Sequence, residues 1–119
     1  MNKAGSQLVC SNYMGGTASL FDIQNDGSLK PNSQVKFENK GGPNKFRQDA
    51  SHPHSANFVN PSWSSDQFIH IPDLGNDCTH QLRVDSNNKL VNTNESIDSA
   101  PGSGPRHISY DSKQKRFAY

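Results

Sequence analysis

The stretch that decides the fold is HPHSANF at residues 52–58, which is matched 52 positions later by GPRHISY at residues 104–110. Each stretch follows a Gly/Pro-rich link and precedes a polar turn and a short apolar run, QFIHI at 67–71 and RFAY at 116–119. A unit of short strands that repeats at roughly 50 residues is typical of a β-propeller, whose blades are small sheets packed face to face. The sequence therefore predicts an all-β chain with a repeated blade.

The rest of the chain extends this pattern in both directions. Short apolar runs bounded by Gly, Pro, Asn and Asp predict strands, at residues 7–12, 18–23, 35–37, 55–58, 67–71, 79–84, 106–110 and 116–119. No stretch of eleven or more residues keeps a 3.6-residue apolar period, so the sequence predicts essentially no helix.

Composition indicates that the chain is part of a larger structure. Only 30% of the 119 residues are hydrophobic and the mean hydropathy is −0.89, which is low for a domain that must bury its own core. A propeller ring takes about four to eight blades, and two repeats cannot close one. We therefore expect both ends to be truncated and the missing blades of the same propeller to be the chain's structural partner.

Charge and cysteine content exclude several classes of protein. Twelve basic and 11 acidic residues are balanced, which indicates no nucleic-acid partner and no anionic membrane surface. The chain shows no secretion signal and no apolar run that could cross a bilayer, so we expect a cytoplasmic protein. Cys10 and Cys78 show no C-x-x-C spacing, and we expect two free thiols rather than a disulfide or a zinc ribbon.

Two residues from successive repeats are expected to meet. Equivalent positions in neighbouring blades converge on the central mouth of a propeller, which makes His54 and Arg106 candidate neighbours. His54 fits a general base or a hydrogen-bond donor to substrate; a metal site with His52 and plain structural hydrogen bonding remain open. Arg106 follows a stiff Gly-Pro link, and its guanidinium fits a carboxylate or phosphate, with an ordinary ion pair as the alternative.

Other polar and aromatic residues are expected to be structural. Asp73 in the turn PDLG is predicted to cap its own backbone. Cys78 and His80 lie two residues apart, but without a third group we expect strand packing rather than a nucleophile or a metal site. Trp63 is predicted to pack on the surface or between blades.

The order of the motifs GPNKFRQ at 42–48, HPHSANF, PDLGND at 72–77 and GPRHISY resembles the lactonase family of seven-bladed β-propellers. That family includes propeller-type 6-phosphogluconolactonases and 3-carboxy-cis,cis-muconate lactonising enzymes. The resemblance covers nearly the whole chain. It implies that residues 1–119 form a β-propeller fragment of about two blades of four-stranded antiparallel sheet.

The resemblance also implies a site that needs no cofactor and takes a small anionic lactone or carboxylate substrate. The histidine of H-x-H-S and the arginine of G-P-R-H, proposed as catalytic in the family, map onto His54 and Arg106. Arg47, His52 and His107 map onto the surrounding motifs as substrate-binding residues, with no metal ligand among them.

The implied reaction is hydrolysis of a sugar-acid lactone, with 6-phosphogluconolactone as the first candidate. A carboxymuconate cyclase, or a non-catalytic binding propeller, is the alternative. Family members carry a further site glutamate and a second arginine in segments beyond the position of Tyr119. We therefore expect the 119-residue chain alone to be inactive.

Overall fold

The computed structural model describes residues 1–60, 67–111 and 116–118, and these ranges contain nine strands and no helix. The strands are β1 Gln7–Asn12, β2 Thr17–Ile23, β3 Leu29–Lys36, β4 Asn57–Val59, β5 Phe68–Asp73, β6 Cys78–Val84, β7 Leu90–Asp98, β8 Ser109–Asp111 and β9 Arg116–Ala118.

The strands form three antiparallel sheets along the chain. The first has the order β1-β2-β3, the second β4-β5-β6-β7, and the third β8-β9. The second sheet is a four-stranded blade made from consecutive strands, as the repeat predicts. β4 and β8 begin at Asn57 and Ser109, so the 52-residue spacing of the sequence is also the spacing of the sheets. The all-β propeller class predicted from the sequence is confirmed.

The apolar pattern predicted only part of one strand, β3, and missed another, β7. β3 covers Leu29–Lys36 where a strand over 35–37 was expected, and β7 was not among the predicted strands. Both strands lie at the edge of their sheets and carry mostly exposed or half-buried polar side chains. A shift in pairing at Leu20/Phe21 and another at Gln81/Leu82 break their alternation. Backbone pairing therefore defines these strands, and a hydrophobicity pattern cannot detect them.

The strands of the two matched motifs begin later than predicted. Strands over 55–58 and 106–110 were expected, whereas β4 is Asn57–Val59 and β8 is Ser109–Asp111. Before β4 the backbone makes only an isolated bridge, between Pro53 and Asp73. Two hydrogen bonds form this bridge, from the N–H of His54 to the Pro72 carbonyl and from the N–H of Leu74 to the His52 carbonyl. The register then shifts by one residue before Asn57 pairs with His70, so the pairing is not continuous.

The hydrophobic core lies between the first two sheets. Ile69 and Ile71 of β5 point to the same face because they are two residues apart, and both are fully buried. Eight buried residues form this cluster: Val9, Ala18, Leu20, Phe37, Ile69, Ile71, Leu82 and Leu90. Each large aliphatic side chain buried in this way stabilises the fold by roughly 1.5–3 kcal/mol. The core holds the β1–β2 turn and the β5–β6 turn in one fixed relation, and the candidate site is built beside those turns.

Candidate active site

His54 lies where all three sheets come together. Its ring is 5.0 Å from the ring of His107, which precedes β8, and 5.9 Å from the ring of Tyr13 in the β1–β2 turn. Both contacts are edge-on. The backbone N–H of His54 donates to the carbonyl of Pro72 at 2.8 Å, which fixes the residue against the end of β5. The ring contact therefore joins the two matched motifs, for which the repeat predicted convergence of His54 with Arg106, the residue before His107.

The surroundings of His54 favour its neutral form. Burial lowers the pKa of its imidazole below 6.5, and electrostatic repulsion from His107, Arg106 and Arg47 lowers it further. A hydrogen bond with the backbone of Arg106 acts in the opposite direction and is outweighed. The ring atom Nδ1 is buried and has no hydrogen-bond partner within the described ranges. An imidazole of this kind is uncharged near neutral pH and can accept a proton.

His52 is held by protein groups on both sides of its ring. Nδ1 lies 3.1 Å from the carbonyl of Tyr13, Nε2 lies 3.0 Å from Asp49 Oδ1, and the ring stacks on Tyr13 at 4.5 Å. Burial lowers the pKa of His52, but these two acceptors outweigh it and the net shift is upward. Both ring nitrogens are therefore occupied, so His52 supports the Tyr13 ring that contacts His54. In the described ranges no group of three His, Cys, Asp or Glu residues could hold a metal ion.

Arg47 and Arg106 line the same small cavity. It has a volume of about 180 Å³ and is bounded by Asn44, Arg47, Gln48, Leu74, Gly102, Ser103, Gly104 and Arg106. Both arginines are exposed, and neither forms an ion pair with any residue that the structure describes. A second cavity of about 750 Å³ adjoins the first and is lined by Asp98, Ser99, Ala100, Ser103, Gly104, Pro105, Arg106 and His107. Two guanidinium groups without a carboxylate at one cavity favour an anionic ligand.

Gln48 fixes the loop that carries Arg47. Its side chain is 2% exposed, and Nε2 donates to the carbonyl of Leu74 at 2.9 Å and to Asp77 Oδ1 at 2.7 Å. Its Oε1 accepts from the backbone N–H of Asn44 at 3.0 Å. A Cβ at Gly42 would overlap the Gln48 amide, so this approach requires glycine. Sequence reasoning grouped Gln48 with Arg47 but did not predict its burial.

Asp77 fixes the link that carries Arg106. Its Oδ2 accepts from the N–H of Gly102 at 2.7 Å, and its Oδ1 accepts from the N–H of Gly104 at 2.9 Å. Its own carbonyl accepts from the N–H of Ser99 at 2.8 Å. Asp77 has a φ of 51°, in the left-handed region that Asp and Asn enter more readily than most residues. The sequence pattern did not single out this residue.

Asp73 has the structural role that the sequence predicted. It is the last residue of β5, has no exposed surface, and caps the β5–β6 turn. Its carboxylate accepts from Ser51 Oγ at 2.6 Å and from the N–H groups of His52, Gly75 and Asn76 at 2.7–3.1 Å, and lies 2.9 Å from His80 Nε2. The network connects the chain before His54 to the end of the neighbouring strand.

Cys78 and His80 pack within β6, as predicted. Burial raises the pKa of the Cys78 thiol to about 12, so the thiolate that a nucleophile requires is absent near neutral pH. The His80 ring stacks on Phe37 at 4.0 Å. The prediction for Trp63 lies outside the described residues.

The structure therefore brings together His54, His107, Arg47 and Arg106, and it places His52 behind Tyr13. Tyr13 was missed by sequence reasoning. It lies two residues before the Gly15-Gly16 turn, and its ring contacts both His52 and His54. Its only signal in the sequence is that NYMG at 12–15 ends a strand-like run in the same way as PDLG at 72–75.

Comparisons with known proteins agree with this fold. The family model described as "Lactonase, 7-bladed beta-propeller" matches residues 1–119. The 6-phosphogluconolactonase of Formosa agariphila is 34% identical over 118 residues, covering 97% of this chain and 32% of that protein. A solved Bacteroides fragilis structure of a candidate 6-phosphogluconolactonase superposes with a TM-score of 0.77 at 30% identity, covering 94% of this chain and 33% of that one.

A third similar protein is periplasmic. The periplasmic gluconolactonase of Pseudomonas aeruginosa superposes with a TM-score of 0.73 at 25% identity, covering 95% of this chain and 32% of its own. The chain thus spans about a third of the length of the proteins it matches. Among the described residues, no helix has the length and hydrophobicity to cross a membrane.

Proposed function

Because the chain belongs to the lactonase family of seven-bladed β-propellers, we propose that it supplies part of the active site of an enzyme that hydrolyses 6-phosphogluconolactone. One observation carries the proposal: His54, an imidazole whose pKa is lowered by burial and by nearby cationic groups, lies beside two guanidinium groups that have no carboxylate partner among the described residues. The 6-phosphogluconolactonase of Formosa agariphila, at 34% identity, supports the choice of substrate.

In the proposed mechanism His54 takes a proton from a water molecule, which attacks the lactone carbonyl. General base catalysis of this kind contributes roughly 10²–10⁴-fold in rate. A neutral imidazole keeps one ring nitrogen without a proton, and that nitrogen is the acceptor this step requires. Arg106 stabilises the oxyanion that forms at the carbonyl oxygen. The ring C–O bond then breaks, and the proton returns from His54 to the departing alkoxide, giving a carboxylic acid and a hydroxyl.

The other site residues position the reactants. Arg47 and His107 contact the anionic substrate, while His52 orients Tyr13 and through it the His54 ring. We propose that no cofactor takes part and that the remaining blades of a ring complete the site. The proposed compartment is the cytosol. Export of the protein to the periplasm would contradict this localisation and would leave the proposed reaction unchanged.

The test is a lactonase assay with 6-phosphogluconolactone, corrected for spontaneous hydrolysis. It compares the 119-residue chain with a ring-complete protein, in which the remaining blades of the Formosa agariphila relative extend the chain. We expect activity only in the ring-complete protein. His54→Ala and Arg106→Ala should each lower kcat about 10²-fold or more, the scale of losing a base or an oxyanion donor.

A matched control is His70→Ala, which removes a buried histidine of β5 away from the two cavities. It should reduce stability but leave kcat of the folded enzyme unchanged. Full activity of both the His54 and the Arg106 variants would overturn the proposal. If the ring-complete protein folds but does not hydrolyse the lactone, the next activity to test is cyclisation of a carboxymuconate, and a non-catalytic binding role is the remaining alternative.

A further inference from the structure

We propose that Asp77 is a positioning residue that holds Arg47 and Arg106 at the spacing needed to bind one dianionic group, such as a phosphate. The substrate assignment of this subsite rests on the proposed function, but the binding of a dianion does not. Asp77 itself does not contact the ligand. Its role is to join the two loops that carry the arginines.

The connection runs through one carboxylate. Oδ1 of Asp77 accepts from Gln48 Nε2 at 2.7 Å and from the N–H of Gly104 at 2.9 Å, and Oδ2 accepts from the N–H of Gly102 at 2.7 Å. Gln48 is the residue next to Arg47, and Gly104 is two residues before Arg106. Three hydrogen bonds to a charged acceptor are stronger than neutral ones, so this carboxylate fixes both loops at once.

The arginines have no competing partner among the described residues. Among the described residues, two carboxylates form ion pairs, and both pair with histidines: Asp49 with His52 and Asp73 with His80. Asp77 forms no ion pair with either arginine in the described part of the chain, and its oxygens accept from an amide and two backbone donors instead. Two like charges kept at one cavity of about 180 Å³ repel each other unless an anion lies between them.

The chemistry of the cavity favours a phosphate over a single carboxylate. A phosphate monoester carries close to two negative charges at neutral pH and offers three oxygens, enough for two guanidinium groups. The cavity adjoins the larger one lined by His107, and Arg106 is common to both. A substrate can therefore place its phosphate between the arginines and its ring in the larger space, where Arg106 also borders the lactone carbonyl.

The experiment is a titration of the 119-residue chain with inorganic phosphate, followed by NMR. Backbone amide signals of residues 44–48, 102–104 and 106 give the Kd, and the His54 ring signals give its pKa. Phosphate should raise the pKa of His54, because a dianion offsets the charges of Arg106 and Arg47 that lower it. Sulfate serves as a second dianion, and acetate as the monoanion control.

The decisive variant is Asp77→Asn. Asparagine also enters the left-handed region, so the backbone is kept, but one acceptor oxygen becomes an NH₂ that cannot receive the N–H of Gly102. We expect the Kd for phosphate to rise about tenfold, the change that about 1.4 kcal/mol represents. Asp77→Gly, which removes the carboxylate and keeps the φ freedom, should abolish the His54 response to phosphate.

Two further variants keep the test decisive if an Asp77 variant fails to fold. Arg47→Lys retains the charge but loses the two-pronged donor and should weaken phosphate binding about tenfold. Lys45 is the matched control, because it lies in the same loop, is exposed, and its Nζ donates to the carbonyl of Gly42 at 3.2 Å. Lys45→Gln removes this positive charge and should leave the Kd for phosphate within about twofold.

The outcomes separate this inference from the proposed function. No phosphate binding by the folded chain, or equal Kd values for the chain and for Asp77→Asn, would overturn the inference. In the ring-complete protein, Asp77→Asn should raise KM for the phosphorylated lactone, because the phosphate loses affinity, and should also lower kcat, because Arg106 stabilises the oxyanion. Phosphate binding without any lactonase activity would leave the subsite intact and reject the proposed reaction instead.

Discussion

At the scale of single residues, neighbouring charges determine what each histidine can do. His52 and His54 are two positions apart, yet the pKa of His52 is raised by its two acceptors and that of His54 is lowered by burial and by repulsion from His107 and two arginines. The first is suited to a structural hydrogen-bonding role and the second to accepting a proton. Two histidines of one motif therefore have pKa values shifted in opposite directions.

The lowered pKa of His54 can be tested by NMR titration of the histidine ring protons. We expect His54 to titrate below 6.5, because burial and the charges of His107, Arg106 and Arg47 all disfavour the imidazolium. The variant His107→Gln removes one of these charges and should move the pKa of His54 upward. A His54 pKa above 6.5 in the unchanged chain would contradict the site geometry.

The buried carboxylate of Asp73 makes the free energy of unfolding depend on pH in the acidic range. Burial acts to raise its pKa, but hydrogen bonds from His80, Ser51 and the N–H of His52 outweigh it, so the net pKa lies below 3.8. A carboxyl group with a lowered pKa stabilises the fold fully at pH values above 3.8, and this stability is lost as the pH falls through the lower folded-state pKa.

The variant Asp73→Asn tests this contribution. It keeps the shape of the side chain but replaces an acceptor that receives several donors, so the free energy of unfolding should fall by about 3 kcal/mol at pH 7. Urea unfolding of the ring-complete protein at pH 7 and pH 3 measures the effect. The difference in stability between the variant and the unchanged protein should shrink at pH 3; an equal difference at both pH values would refute the linkage.

At the scale of elements, the two tight turns look alike in sequence but differ in their surroundings. The β1–β2 turn contains Gly15 and the β5–β6 turn contains Gly75. A Cβ at Gly15 would make only ordinary contacts, the nearest at 3.5 Å, whereas a Cβ at Gly75 would overlap the carbonyl oxygen of Ala50. The link before β4 crosses the second turn so closely that only glycine fits.

Replacement of each glycine by alanine tests this difference. Gly75→Ala should lower the free energy of unfolding of the ring-complete protein by more than about 2 kcal/mol, because the backbone of Ala50 must move away. Gly15→Ala, the matched control, should change it by less than about 0.5 kcal/mol. Urea unfolding midpoints measure both. Equal midpoints for the two variants would show that the link does not cross the turn at this distance.

At the scale of the whole molecule, the sheets are unequally supported. The buried cluster draws on the first two sheets, from Val9 in β1 to Leu90 in β7. β8 carries exposed or half-buried side chains and meets β4 across a cavity of about 220 Å³. Burial of apolar surface, the main stabilising contribution to folding, is therefore concentrated between two of the three sheets.

We expect the isolated 119-residue chain to be marginally stable, with a free energy of unfolding below the roughly 5 kcal/mol at the lower end of the usual range. Hydrogen exchange should be slowest for amides of β2 and β6, which have neighbours on both sides, and fastest for β8. A cooperative melt of the monomeric chain with uniform protection in β2, β6 and β8 would contradict this expectation.

The sequence by itself determined the all-β class, the repeat and the family. These properties follow from local features, namely short apolar runs, Gly and Pro in the links, and motifs that recur at a fixed spacing. The pairing of His54 with the region of Arg106 was also predictable, since equivalent positions of a repeat converge.

Only the tertiary structure decided which polar residues build the site. Gln48 is buried through bonds to Leu74 and Asp77, which are 26 and 29 positions away, and Asp77 bonds to glycines 25 and 27 positions away. The extent of β3 and β7 was likewise set by pairing with β2 and β6. Such long-range hydrogen bonds depend on how the sheets pack and leave no periodic trace in the sequence, because a loop's burial is imposed by its neighbours in space.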